Sequence, residues 1–329
     1  MFSYSPLLHT LDLSDLVALL LCIFIIPALI RLGIMDTPVQ RSAHHTPIPK
    51  GGGIAIITAF LGGMAFHSVL QHTPFTLFQL CLVIGTLLLC VVSWLDDIRP
   101  FAARYKLSAQ ALAGIIIALG CHPSSSLFLI PMVATTIILT NTINFMDGLN
   151  GLAAGVIALT SFFMAGMNIV PFDLLLLGVS LVGFLPFNFP NARIFMGDAG
   201  SQPCAFILSG VGMTVFQPIP HFPYIAGEFW LLPCLLNGML WDVFFTLARR
   251  TRAKESLAQA HRGHLYQLAV RTNIPAPAVT LIHWGFTIWG GISFCLPSMP
   301  ECLIALSLPQ IMWTLTVTHR ARRHLTEKW

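Results

Sequence analysis

The chain has 329 residues, of which 56% are hydrophobic and only 9% charged, and its mean hydropathy is +0.79. A soluble domain carries about 25% charged residues, so a soluble enzyme, a disordered chain and an ordinary nucleic-acid binder are excluded. What remains is an integral membrane protein, read as one domain over residues 1–329; its net charge of +4 matters less than where the charges fall.

A membrane helix needs about 20 mostly apolar residues. In chain order such runs fall at 16–33, 51–70, 77–95, 107–121, 127–140, 151–170, 172–187, 203–219, 227–247, 278–296 and 302–318. This predicts an all-α, polytopic transmembrane helix bundle of about eleven spans, with ten as the alternative because 107–121, 127–140 and 172–187 are short. The runs do not alternate polar with apolar residues, which excludes a membrane barrel. Only Asp12 and Asp15 flank the first run on its leading side, so it reads as an uncleaved anchor with the N-terminus outside. The inside segments are then 34–50, 96–106, 141–150, 188–202, 248–277 and the tail after 318. Allowing for their edges, they hold all 17 Lys and Arg, a strong positive-inside pattern that places the C-terminus in the cytoplasm. These cations orient the protein and meet anionic lipids or an anionic substrate, so no nucleic-acid partner is needed. The eight cysteines form no CxxC pair and read as small core residues.

Four polar clusters lie at the inside ends of the runs. Asp96 and Asp97 end an apolar run, where the helix dipole disfavours carboxylates and the two repel each other. A bound cation or a proton-handling role would explain them; so would salt bridges to Arg99, Arg104 or Lys106. In the second cluster Asn144, Asp147 and Asn150 recur every three residues, which on a helix drifts along one side. Such groups at a membrane boundary must be satisfied. The third, Asn188 to Ser201, carries Asp198 ahead of an apolar run; it suits a hard cation or a plain N-cap. The fourth is His261-Arg262-Gly263-His264, in the most basic loop. Arg and protonated His grip phosphate oxygens, and a basic helix resting on headgroups is the alternative. Together the clusters suggest phosphoryl transfer from a soluble diphosphate to an acceptor held in lipid. Asp242, near the inner end of 227–247, either lines the site or, more plainly, pairs with Arg249 and Arg250.

In this order the motifs resemble the polyprenyl-phosphate N-acetylhexosamine-1-phosphate transferases, glycosyltransferase family 4. The resemblance rests on DTPVQRSAHHTPIPKGGG from Asp36, the Asp96-Asp97 pair, NxxNFxDGxxGL from Asn141, FMGDAGS from Phe195 and HRGHLYQ from His261. It spans about residues 36 to 270. It implies transfer of a sugar 1-phosphate from a UDP-N-acetylhexosamine, or a deoxy derivative, to undecaprenyl phosphate, with release of UMP. The cofactor implied is Mg²⁺, with Mn²⁺ as the alternative. The place implied is the cytoplasmic face of the bacterial inner membrane, at the first membrane step of O-antigen or other surface-polysaccharide synthesis, and a homodimer fits the family.

Carried over residue by residue, Asp198 is the metal ligand with Asn144 as its partner, and Asn150 is a uracil contact. Asp96 and Asp97 match the acidic pair that places or deprotonates the acceptor, Lys106 a phosphate-holding cation, and Asp147 the Asp of the DG motif. Asn188 matches an Asn ten residues before the FMGD aspartate and joins the nucleotide- or phosphate-binding set. His261, Arg262 and His264 look like diphosphate or sugar contacts. A direct displacement is favoured over a phospho-enzyme. The HRGHLYQ form looks like the O-antigen subgroup and tilts the sugar toward a 6-deoxy one such as N-acetylfucosamine or N-acetylquinovosamine. The alternatives are N-acetylglucosamine 1-phosphate and phospho-N-acetylmuramoyl-pentapeptide, although transferases of the latter typically carry a triple His that is absent here. A lipid-linked sugar flippase would instead need charges at the midplane or on both faces, and the outer loops hold only scattered acids.

Overall fold

The protein is seen in a computed structural model that describes residues 11–36, 47–121, 129–167, 171–214, 230–256, 259 and 261–326. In chain order the described helices are α1 (Leu13–Leu32), α2 (Gly52–Leu70), α3 (Leu77–Ile98), α4 (Ala103–Gly120), α5 (Leu129–Met146), α6 (Leu152–Gly166), α7 (Pro171–Asn188), α8 (Asp198–Thr214), α9 (Leu231–Leu235), α10 (Asn237–Arg252), α11 (Leu265–Arg271), α12 (Ala276–Phe294) and α13 (Met299–His324). A two-stranded antiparallel ribbon, β1 (Met35–Asp36) with β2 (Ile48–Pro49), separates α1 from α2. Most of the Pro/His loop between those strands, residues 37–46, lies outside the described residues.

Local signals set several helix starts. Asp12 caps α1 by accepting from the backbone N–H groups of Ser14 and Asp15, while Asp15 returns a bond to the Asp12 N–H. Thr76 and Gln79 form the same reciprocal box at α3, which satisfies donors that the helix cannot. Once started, the helices are held by lipid and by each other. Five described helices, α1, α2, α3, α5 and α13, are long and apolar enough to cross a membrane, and α6 and most of α7 are shorter apolar helices. Phe24, Ile130 and Phe244 lie open on the outside of the bundle at 72–76% exposure. Such an outer surface suits hydrocarbon, and backbone polarity is satisfied inside the helices. The chain is a multi-pass helical membrane protein.

The bundle centres on α8, which packs against α2, α3, α4, α5 and α6. Every residue of it from Ala199 to Val211 is buried, so its near-continuous small and apolar sequence needs no polar face. The first turns of α2, α4 and α8 and the last turns of α3 and α5 meet at one end of the bundle, where the site forms.

Two sequence expectations change. The run 227–247 is not one helix across its described part: it breaks at Leu236 into α9 and α10, and α10 continues to Arg252. The residues Asn144, Asp147 and Asn150 do not share a helical stripe either. α5 ends at Met146, and the turn through Gly148 and Gly151 carries the other two.

Candidate active site

The frame of the site is backbone bonding between two glycine-containing segments. Phe195 N–H donates to the Pro49 carbonyl at 2.8 Å; Gly52 and Gly53 N–H donate to the carbonyls of Phe195 and Met196, each at 2.9 Å. The orphan donors of α2 are thus capped by the strand-like run that leads into α8. Gly53 and Gly200 make the approach feasible, because a Cβ on Gly53 would lie 2.2 Å from the Gly200 nitrogen. Gly197, with φ +72°, turns the chain into α8, and a Cβ there would meet the Asp97 carboxylate at 2.9 Å. The FMGD run is thereby pressed against the end of α3.

A cavity of about 520 Å³ opens at this end, and Asp97, Asp147 and Asp198 all face it. Asp198 begins α8. One of its oxygens takes the Asn144 amide at 2.8 Å and the other takes Lys106 at 3.0 Å. Lys106 also holds Asp96 at 2.8 Å, so it bridges the two acids. The acidic pair therefore splits. Adjacent residues on a helix point in different directions: Asp96 turns to Lys106 and to the Phe101 N–H, away from the cavity, whereas Asp97 is nearly buried and accepts from the Ala199 N–H at 3.3 Å. Only Asp97 of the pair lines the cavity, and Lys106 stands behind Asp198 rather than in the open space. Lys50 lines it as well, 3.2 Å from Asp36 and 4.0 Å from Asp97.

Asp147 follows the last residue of α5. Burial first, and then the charges of Asp198 and Asp97, push its carboxyl well above the usual carboxylate range. An acid facing two others in a poorly solvated place is biased toward its neutral form. Asn144 spends its amide N–H groups on Asp198 and Ser201, so it orients the carboxylate. Asn188 donates to the Ile194 carbonyl and accepts the Gly151 N–H at 2.6 Å. Both ends of its amide are engaged, so it ties the two loops together at the cavity wall that it helps to line. Asn150 faces the cavity while donating to the Pro190 carbonyl at 2.9 Å.

The basic loop closes the other side. Arg262, His261, Tyr266, Gln267 and Arg271 line the cavity, and His264 does not. Its ring turns inward, with Nδ1 3.0 Å from Asp242, so the structure places His264 behind the cavity wall and not in its lining. Asp242 is likewise not bonded to the arginines: Arg250 instead holds Glu255 and the carbonyls of Ser256 and Gln259. Burial, then the neighbouring His264, Arg250 and Arg249, pulls His261 down to about 4. That shift favours the neutral ring while the cavity holds no anion.

Several contributors were not singled out from the sequence. Lys50 counted only as an orienting charge, although its place just before the GGG run was a usable signal. Gln110 and Gln202, both buried, form a chain from Asn141 through Gln110 and Gln202 to Asp198, at 2.7, 3.1 and 3.4 Å. A lone amide inside an apolar run was the available sign, since such a group must find a partner.

A membrane-embedded helical bundle with an acid- and cation-lined cavity at one end has the form of an enzyme for charged substrates that meet lipid. Residues 79–216 match the profile of glycosyl transferase family 4. The chain is 28% identical to the probable undecaprenyl-phosphate N-acetylglucosaminyl 1-phosphate transferase of Bacillus subtilis, over 76% of this chain and 75% of that protein. It is 28% identical to the decaprenyl-phosphate N-acetylglucosaminephosphotransferase of Mycobacterium tuberculosis, over 80% of this chain and 74% of that one. To the phospho-N-acetylmuramoyl-pentapeptide-transferase of Halalkalibacterium halodurans it is 26% identical, over 80% and 89%. The chain thus carries a glycosyl transferase family 4 match over residues 79–216, and its relatives are named as polyprenyl-phosphate hexosamine-phosphate transferases.

Proposed function

We propose that this protein transfers an N-acetylhexosamine 1-phosphate from a UDP-sugar to undecaprenyl phosphate at the cytoplasmic face of the bacterial inner membrane, as an initiating step of surface-glycan assembly. The observation that carries the reading is the single cavity shared by Asp97, Asp147, Asp198, Lys50, Arg262 and Arg271. Its carboxylates suit a hard cation and its cations suit a diphosphate. An oxygen of the lipid phosphate attacks the phosphorus that bears the sugar, the diphosphate P–O bond to the nucleotide breaks, and UMP leaves with that oxygen. Because a phosphate monoester has its second pKa at about 6, the acceptor needs placing more than deprotonating, and Asp97 would place it through the cation that it helps to hold. Lys50, Arg262 and Arg271 offset the charge of the donor diphosphate.

Mg²⁺ is the cofactor this donor set fits, and Mn²⁺ would serve. Among the described residues no three His, Cys, Asp or Glu side chains converge on one point, so the protein supplies an incomplete shell. Mg²⁺ keeps waters and substrate phosphate oxygens in such sites. Asp198 and Asp97 would hold it, Asn144 keeps Asp198 in place, and the bound ion would neutralise charge on the diphosphate.

The raised Asp147 carboxyl carries a sign. A cation displaces its proton, so cation affinity should rise with pH. As the pH rises, Mn²⁺ titrations of the wild-type protein should tighten, and Asp147→Asn should flatten that trend. An unchanged pH slope in the variant would remove Asp147 from the cation site.

The test of the function is UMP release from UDP-sugar and undecaprenyl phosphate by the purified protein, with and without Mg²⁺. UDP-N-acetylglucosamine is the first donor to offer, because the similar proteins carry that sugar in their names; 6-deoxy donors form the second arm, on the HRGHLYQ form. No UMP from any UDP-N-acetylhexosamine, under conditions where the lipid acceptor is soluble, would end the proposal.

A further inference from the structure

The last loop would be expected to vary in shape, since it is long, basic and mostly irregular, yet one buried carboxylate pins it. Asp242 on α10 is 1% exposed. Its Oδ1 accepts from the Leu265 N–H at 2.9 Å and lies 3.0 Å from His264 Nδ1; its Oδ2 accepts from the Tyr266 N–H at 2.9 Å. The Thr246 hydroxyl adds a fourth contact from one turn further along α10. A carboxylate without a proton only accepts, so Nδ1 of His264 carries the hydrogen. The His264 ring then stacks between His261 and Tyr266, with centroids 4.9 and 5.8 Å away.

The consequences reach the cavity. With its backbone N–H held, Tyr266 sends its hydroxyl to the Phe145 carbonyl at 3.0 Å, beside the turn that carries Asp147. Gln267 donates to the same hydroxyl at 3.2 Å and accepts the His264 N–H. One helical turn on, Arg271 donates to the Arg262 carbonyl at 3.2 Å, and both arginines line the cavity. Deleting one partner of such a buried, charge-assisted set leaves the others uncompensated.

We infer that Asp242 is a positioning residue: by fixing His264 and the first turn of α11, it keys the donor-facing wall of the cavity, Arg262, Gln267 and Arg271, to the Asp147 turn, without touching substrate itself. The carboxylates on α3 and α8 do not depend on it. Its loss therefore acts on donor binding more than on the chemical step. The kinetic half of this inference rests on the transferase reading; the structural half does not.

Two measurements on the full-length protein separate these. In Asp242→Asn the new amide sets a donor against donors. Its KM for the UDP-sugar should rise about tenfold while kcat stays within about threefold. A merely structural defect would lower the active fraction, and so apparent kcat, with KM unchanged. In a double-mutant cycle with His264→Ala the two losses should be less than additive. An unchanged KM in a variant that folds, or full additivity, would overturn the inference. Independently of any activity or variant, the Leu265 and Tyr266 amides of the wild-type protein should be protected in hydrogen exchange, and ¹⁵N spectra should show His264 protonated at Nδ1. Rapid exchange at both amides, or the Nε2–H form, would refute the clamp even if UMP release is robust. Absence of UMP release with both signatures present would refute the function and leave the clamp standing.

Discussion

Asp198→Asn is expected to lower kcat for UMP release by about a thousandfold or more, equivalent to about 4 kcal/mol of transition-state stabilisation. The substitution is isosteric, and the first turn of α8 stays buried, so the fold has little reason to change. What changes is charge. Asp198 receives Lys106 at 3.0 Å and Asn144 at 2.8 Å, and it faces the cavity with Asp97 and Asp147. An amide there cannot ligate a hard cation comparably, and it leaves Lys106 with Asp96 alone. Thermal unfolding in detergent should be nearly unaltered, which separates this loss from misfolding. Turnover within tenfold of wild type would take Asp198 out of the chemistry. Asn144→Ala should cost less, because it removes the brace and not the ligand.

The second large effect is structural. Gly53→Ala should destabilise the protein by about 1–3 kcal/mol or more and remove most activity. The new methyl would lie 2.2 Å from the Gly200 nitrogen and 2.3 Å from its Cα, atoms of a backbone that no rotamer change can clear. α2 and α8 would have to separate, breaking the Gly52 and Gly53 bonds to Phe195 and Met196 and moving Lys50 away from Asp97. Small residues allow such close helix approach in membranes. Gly285→Ala on α12 is the control, since a Cβ there meets nothing within 4 Å, and it should be near neutral. Equal melting temperatures for the two variants would contradict the packing account.

Much of this was legible in the letters, for physical reasons. A run of apolar residues that ends in Asp-Asp, or a DG turn between two such runs, is too costly to bury unsatisfied, so Asp97, Asp147 and Asp198 stood out. The long-range bridging between them did not. Lys106 lies 92 residues from Asp198, and no local spacing says that it bridges Asp198 to Asp96. The same holds for Asp242. Its nearest cations in sequence are Arg249 and Arg250, but its donors are His264 and the amides of α11, reached only once α10 folds back against the loop. Gln110 and Gln202 show only as polar amides beside apolar residues, and that they link Asn141 to Asp198 emerges from the amide chain they complete. Side-chain direction was also hidden: adjacent aspartates look equivalent in sequence, yet the helix sends Asp96 to a lysine and Asp97 to the cavity. The break at Leu236 falls just before Asn237-Gly238, a local breaker inside an otherwise apolar run.

The account depends on Asp198 and Asp97 gathering a divalent ion together with the donor's diphosphate. The most direct measurement is electron–nuclear double resonance on Mn²⁺ added to the purified protein with a UDP-sugar. The expected result is one bound Mn²⁺ with ³¹P couplings from directly coordinated phosphate, strongly weakened in Asp198→Asn and in Asp97→Asn. Manganese that binds equally well in both variants, or that shows no coupling to phosphorus, would contradict it.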